Sequence, residues 1–123
     1  MKGKSKILVV DDEESIRFTF ENFLSDEGYD VTTATNYNDA LAVIDQKDFD
    51  LLIIDIILGG KTGLDLVQEI RARDLRCQVV IITASPTAET VSDAYKKDVF
   101  EYISKPVYKD ELLRVTREAL SFK

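Results

Sequence analysis

Leu51 to Leu58 reads Leu-Leu-Ile-Ile-Asp-Ile-Ile-Leu. A run this short and this apolar fits a strand covered on both faces of a sheet. One carboxylate, Asp55, interrupts it. Burying a charge is costly unless it is paired, hydrogen-bonded or placed at a strand end. Asp55 therefore either sits at the mouth of a sheet or caps the loop that follows.

The flanking chain supplies partners for that strand. Lys6–Val10 is a short β-branched run, the first strand. Asp11-Asp12-Glu13-Glu14 follows and opens a helix to about Glu27, since acids favour the first helical turn. Ile16, Phe20, Phe23, Leu24 and Glu27 share one face of it, and Phe18 falls on the opposite face. Gly28 suits a left-handed cap. Tyr29–Ala34 reads as a second strand, polar enough for a sheet edge. Asn36 or Asn38 can cap the next helix, whose stripe includes Ala40, Leu41, Val43 and Ile44.

After the central run, Gly59–Gly63 reads as a loop. Leu64, Val67 and Ile70 mark a third helix, expected to fray over Arg71–Asp74. Gln78–Thr83 is a fourth, buried strand. Pro86 suits the first turn of a fourth helix, with Ala88, Val91, Ala94 and Tyr95 on one face. Phe100–Ser104 is a fifth strand, stopped by Lys105-Pro106. Asp110 starts a last helix that buries Leu112, Leu113, Thr116, Ala119 and Leu120.

Strict alternation with buried β-branched strands predicts an α/β fold, a doubly wound five-stranded parallel sheet. The order 2-1-3-4-5, flavodoxin-like, places the polar second strand at an edge. At 123 residues, without repeats or linkers, residues 1–123 read as a single domain.

In such folds, sites lie at the carboxyl ends of the strands. Here strand one ends in Asp11-Asp12, strand three in Asp55, strand four in Thr83 and strand five in Lys105. Singly, each has a bland reading: a helix cap, a β-branched strand end, a charge that guards an edge. Together they put the unusual polar residues on one rim. Three carboxylates this close cannot all stay ionised without a cation. The chain has no histidine, and Cys77 is its single cysteine, so a hard ion with oxygen ligands fits. Mg²⁺ suits best, Mn²⁺ or Ca²⁺ less so. With Lys105 and Thr83 opposite, the rim suits a tetrahedral anion beside a carboxylate nucleophile, and a phosphoryl group is the natural candidate.

Ile-Leu-Val-Val-Asp11-Asp12, Leu-Ile-Ile-Asp55, Ile-Ile-Thr83-Ala84 and Tyr102-Ile103-Ser104-Lys105-Pro106 together resemble the receiver domains of two-component response regulators. The resemblance covers essentially the whole chain. It implies that Asp55 accepts a phosphoryl group from the phosphohistidine of a sensor histidine kinase or histidine phosphotransfer protein. It implies Mg²⁺ held by Asp11, Asp12, Asp55 and the backbone carbonyl of Ile57. Lys105 would pair with Asp55 and then with the phosphoryl oxygens. Thr83 would swing toward the phosphoryl group and Tyr102 would follow inward. That coupled move would reshape the face of the fourth helix, fifth strand and last helix, where Tyr95 and Tyr102 are candidates for homodimer contacts. The Lys105-Pro106 bond would be cis. Ile57 and Ser85 flank the site and would tune phosphoryl lifetime. Gly59 stands where the family often has proline, and Asp98 where it often has glycine. An interaction-only pseudo-receiver is the alternative, disfavoured by the complete set of acids, hydroxyl and lysine.

Other classes fit poorly. A net charge of −7 argues against direct binding of nucleic acid or an anionic membrane. Gly60-Lys61-Thr62 resembles the end of a P-loop, but the glycine required five residues earlier is Asp55. A flavin phosphate would meet Asp-Asp-Glu-Glu after strand one. The N-terminus is basic, but Ile7–Val10 is too short for a signal core or membrane span. A lone cysteine fits a reducing, cytoplasmic setting. The expected protein is a non-enzymatic phosphoacceptor, either stand-alone or the N-terminal module of a longer chain with its own output.

Overall fold

Within residues 3–122, which the computed structural model describes, five strands alternate with five helices. The strands are β1 (Lys6–Val10), β2 (Asp30–Ala34), β3 (Leu51–Asp55), β4 (Gln78–Thr83) and β5 (Glu101–Ser104). The helices are α1 (Glu14–Asp26), α2 (Tyr37–Ile44), α3 (Gly63–Ala72), α4 (Ala88–Lys96) and α5 (Lys109–Ser121). All neighbouring strands pair in parallel, in the order β2-β1-β3-β4-β5. The predicted sheet and its polar edge strand are both present.

Side chains of each central strand alternate between two cores. Leu8, Val10, Leu52, Ile54, Val79 and Ile81 meet Ala40 of α2, Leu66, Val67 and Ile70 of α3, and Ala94 of α4. Ile7, Val9, Leu51, Ile53, Val80 and Ile82 meet Phe20 and Leu24 of α1 and Leu112, Val115 and Ala119 of α5. This double coverage explains why the sequence runs are continuous rather than alternating.

The central strand is shorter than its apolar run. Pairing ends at Asp55, because the chain turns after Ile56: the Gly63 amide donates to the Ile56 carbonyl at 2.7 Å. Ile56 and Leu58 stay buried while Ile57 points out. Gly63 belongs to α3, not to the loop, because Thr62 and Asp65 form a reciprocal capping box before it. Asn36 caps α2, accepting from the Asp39 amide.

Three helices end the same way. Gly28, Asp74 and Asp98 each follow the helix with positive φ (91°, 57° and 63°). In each case the next amide reaches back to the carbonyl five residues earlier, as in Tyr29 to Leu24, Leu75 to Ile70 and Val99 to Ala94. Asp74 and Asp98 thus do a glycine's work at a steric cost, and place a carboxylate at the negative end of a helix. Asp98→Gly is expected to stabilise the fold by about 1 kcal/mol. A urea or thermal melt checks it; an unchanged or lower midpoint would mean that the aspartate backbone is not strained.

The expected fraying at Arg71–Asp74 is not observed. Arg71 donates to the carbonyls of Leu75, Cys77, Lys97 and Asp98 at 3.0–3.2 Å. One guanidinium therefore fastens α3, the start of β4 and the end of α4 together. Pro86 is not in the first turn of α4. Thr87 is the cap, forming a capping box with Thr90, and this leaves Pro86 one residue outside. The face expected of α4 is also shallow: only Ala94 is buried, Val91 is partly covered, and Ala88 and Tyr95 are exposed.

Candidate functional site

The carboxyl rim gathers the polar strand ends. Asp11 follows β1, Asp55 closes β3, Thr83 closes β4 and Lys105 follows β5. Hydrophobic packing of β1 and β3 on both faces leaves their terminal acids little freedom, and Asp11 and Asp55 are 0% and 4% exposed. Asp12 is exposed at the mouth.

Lys105 organises this corner. Its Nζ donates to Asp55 Oδ2 at 2.8 Å and lies 3.0 Å from Asp11 Oδ2 and 3.4 Å from Glu13 Oε1. Its side chain is 12% exposed. Burial works against the charge and is the largest single influence, but the bonds to Asp55 and Asp11 outweigh it and raise the ammonium's pKa. Asp11 shows the opposite balance. Burial pushes its carboxyl above the ordinary value, and the Glu13 amide and Lys105 recover only part of that.

The two Asp11 oxygens differ. Oδ1 accepts from the Glu13 amide at 2.9 Å, an Asx turn before α1 rather than a helix cap, since Glu13 is the N-cap of α1 and has no side-chain cap bond. Oδ2 is buried without an aligned donor, although Lys105 is near enough for ion pairing. A buried carboxylate oxygen that has an ion-pair partner but no aligned donor is only partly compensated, and it leaves a place for a second positive partner. Asp11, Asp12 and Asp55 each offer an oxygen, all within 4.8 Å of one another. One ammonium, Lys105, faces Asp11, Asp55 and Glu13, with Asp12 at the mouth, so the corner carries an excess of negative charge that a divalent cation could offset. All the donors are oxygens, which suits Mg²⁺ or Mn²⁺.

The amide of Ile57 donates to Asp55 Oδ1 at 3.1 Å, which fixes the carboxylate plane. The Ile57 side chain is 53% exposed beside it. Thr83 is buried, and its hydroxyl accepts from the Ser85 amide at 3.1 Å. Tyr102 lies one strand over and two residues back, opposite Ile81. Its hydroxyl bonds to Thr90 of α4 at 2.7 Å. Among the described residues no hydrogen bond joins Thr83 to Tyr102. The Lys105-Pro106 bond is cis.

Two members of the site were not singled out in the sequence. Glu13 reaches Lys105 from two residues beyond Asp11. Gly63 touches the backbone of Asp55: a Cβ there would lie 2.8 Å from Ile54 Cγ2 and 2.9 Å from the Asp55 carbonyl carbon, and closer still to its oxygen. A glycine as the first residue of a capped helix was the available signal.

Residues 7–117 match the family model of the response regulator receiver domain. The chain belongs to the receiver domains of response regulators. This receiver domain is 38% identical over 109 residues to the alginate biosynthesis transcriptional regulatory protein AlgB of Pseudomonas aeruginosa, covering 89% of this chain and 24% of that protein. It spans about a quarter of the length of the curated relatives it matches. Among solved structures it is similar to the receiver domain of NtrX from Brucella abortus, with 37% identity, a TM-score of 0.88 and coverage of 95% and 99% of the two chains. A CheY-like receiver domain from Methanospirillum hungatei has a TM-score of 0.91 at 28% identity, covering 96% and 94%. The receiver domain is a phosphoacceptor module of two-component signalling. No helix among its described residues is long and apolar enough to cross a membrane.

Proposed function

We propose that this receiver domain carries its phosphoryl group on Asp55, taken from a phosphohistidine of a sensor histidine kinase or histidine phosphotransfer protein. A carboxylate oxygen of Asp55 forms the new P–O bond while the P–N bond to the donor imidazole breaks. The imidazole leaves with the bond's electron pair and takes up a proton. The observation that carries this reading is the ion pairing of Lys105 with both Asp55 and the buried Asp11 at the mouth of the acid cluster.

Asp11, Asp12, Asp55 and the backbone carbonyl of Ile57 would hold Mg²⁺, which neutralises charge on the phosphoryl oxygens when bound. Lys105 shares Asp55 now and turns to a phosphoryl oxygen afterwards. The Ile57 amide and the packed strand keep the Asp55 carboxylate in one orientation, so little reorganisation is needed. Thr83 gives up its contact with Ser85 to reach the phosphoryl group, and Tyr102 moves into the space it leaves. The face of α4, β5 and α5 then changes, with Tyr95 (48% exposed) and Tyr102 available to a second copy or a target. Ile57 and Ser85, both exposed, govern how easily water reaches the acyl phosphate. The relative AlgB is a transcriptional regulatory protein; for this chain, a net charge of −7 favours an output carried by another segment or protein over direct nucleic-acid contact.

Incubation with a small acyl phosphate and Mg²⁺ is expected to add one phosphoryl mass by intact-mass spectrometry. Asp55→Asn and chelation of the metal should each abolish the addition. Unchanged labelling in Asp55→Asn would overturn the assignment.

A further inference from the structure

Thr90 takes part in two structures at once. It is the third residue of the α4 capping box: its amide donates to Thr87 Oγ1 at 3.0 Å, and its own Oγ1 accepts from the Thr87 amide at 3.3 Å. The same Oγ1 lies 2.9 Å from Thr87 Oγ1, 3.2 Å from the Thr87 carbonyl and 2.7 Å from the Tyr102 hydroxyl. A hydroxyl has one proton and two lone pairs. If Thr90 spends its proton on Thr87, its lone pairs receive the Thr87 amide and the Tyr102 proton. The network is closed only while Tyr102 is in place.

The helix has little else at this end. Ala94 is its buried residue, in the second half, and the Tyr95 hydroxyl accepts from the Tyr102 amide at 3.2 Å. The far end is secured by Arg71 on the carbonyls of Lys97 and Asp98. The first turn of α4 rests on its cap and on Tyr102.

We infer that Thr90 is a latch: it holds Tyr102 on α4 in the resting receiver and makes the start of α4 depend on where Tyr102 stands. This rests on the proposed movement of Tyr102 and names the residue that regulates it. Departure of Tyr102 leaves an acceptor site on Thr90 empty, and mutually polarised hydroxyls lose more than one bond's worth of order. The latch thus biases the unphosphorylated receiver toward the arrangement in which Tyr102 bonds Thr90, and its release loosens the helix start in the same step. Thr90 is a positioning residue, since it touches neither Asp55 nor the phosphoryl group.

Hydrogen exchange of the α4 first-turn amides, measured on the unphosphorylated receiver, tests this directly. Tyr102→Phe leaves the capping residues intact, yet is expected to speed exchange there at least about fivefold, the loss of one hydroxyl bond or more. Thr90→Val should speed it at least as much, and Thr90→Ser should restore the wild-type rate. The double variant Thr90→Val/Tyr102→Phe should exchange no faster than Thr90→Val alone. An unchanged rate in Tyr102→Phe, or additive effects in the double variant, would overturn the latch. The measurement needs no phosphorylation. Failure of the phosphoacceptor reading would appear separately, as no mass addition and no change in wild-type exchange after acyl phosphate treatment.

Discussion

Lys105→Met is expected to cost about 3 kcal/mol of folding stability in a metal chelator, and to recover most of it in Mg²⁺. Methionine keeps much of the aliphatic stem, so the substitution removes the charge more than the packing. Asp55 and Asp11 then face each other with no ammonium between them, at 4% and 0% exposure. Removing one member of a buried ion pair is costly because the other is left uncompensated. The cost falls at the lower end of the usual range, because the Ile57 and Glu13 amides still donate to the two carboxylates. A divalent cation supplies the missing charge to the same oxygens, so the variant should gain more from Mg²⁺ than the wild type does. Urea unfolding in chelator and in Mg²⁺ gives both numbers. An equal loss in the two conditions would assign Lys105's contribution to packing alone and would separate it from the acid cluster.

Gly63→Ala is expected to have a similar effect by a different route. The added methyl has no room: it meets the Asp55 backbone and Ile54 Cγ2, which belong to a strand buried on both faces. Either α3 shifts outward or β3 shifts inward, and forced insertion into a packed core typically costs about 1–3 kcal/mol, with the upper end expected against rigid backbone. The chemistry should suffer beyond the stability loss. A displacement of about 1 Å at a reacting group can cost on the order of a hundredfold in rate. Acyl phosphate labelling of the folded fraction should therefore slow sharply, while a melt shows the destabilisation. Labelling at the wild-type rate in a destabilised variant would show that α3 absorbs the strain and Asp55 stays put.

The parts legible in the sequence share a property: they are local contrasts. Asp55 stands out because it interrupts a run of Leu and Ile, Thr83 because it ends one, and Asp11 and Lys105 because they directly follow β1 and β5. The sheet order followed from the same contrast, since the polar residues of Tyr29–Ala34 belong at an edge, where β2 is found. What was not legible depends on partners far away in the chain. Gly63 looked like one more loop glycine, because its reason for being glycine is the backbone of Asp55. Arg71 looked like the frayed end of a polar helix, because the carbonyls it serves belong to two other segments, one of them 26 residues on. Asp74 carried no sign of its left-handed backbone, since aspartate is tolerated there without announcing it. Pro86 suggested a helix start on its own preference and was outweighed by the paired hydroxyls of Thr87 and Thr90.

If the proposed switch operates, Arg71 also limits what a partner could sense. Its hydrogen bonds to Lys97 and Asp98 pin the carboxyl end of α4 to the rim opposite the acids. A rod pinned at its heel can tilt, but it cannot slide along the sheet. Under the proposed switch, rearrangement around Tyr102 would reach the surface as a change of angle, largest at Thr87 and smallest at Lys97. A protein docking across this face would distinguish the two states by its contacts with the toe of the helix, and could grip the heel in either state without biasing the choice.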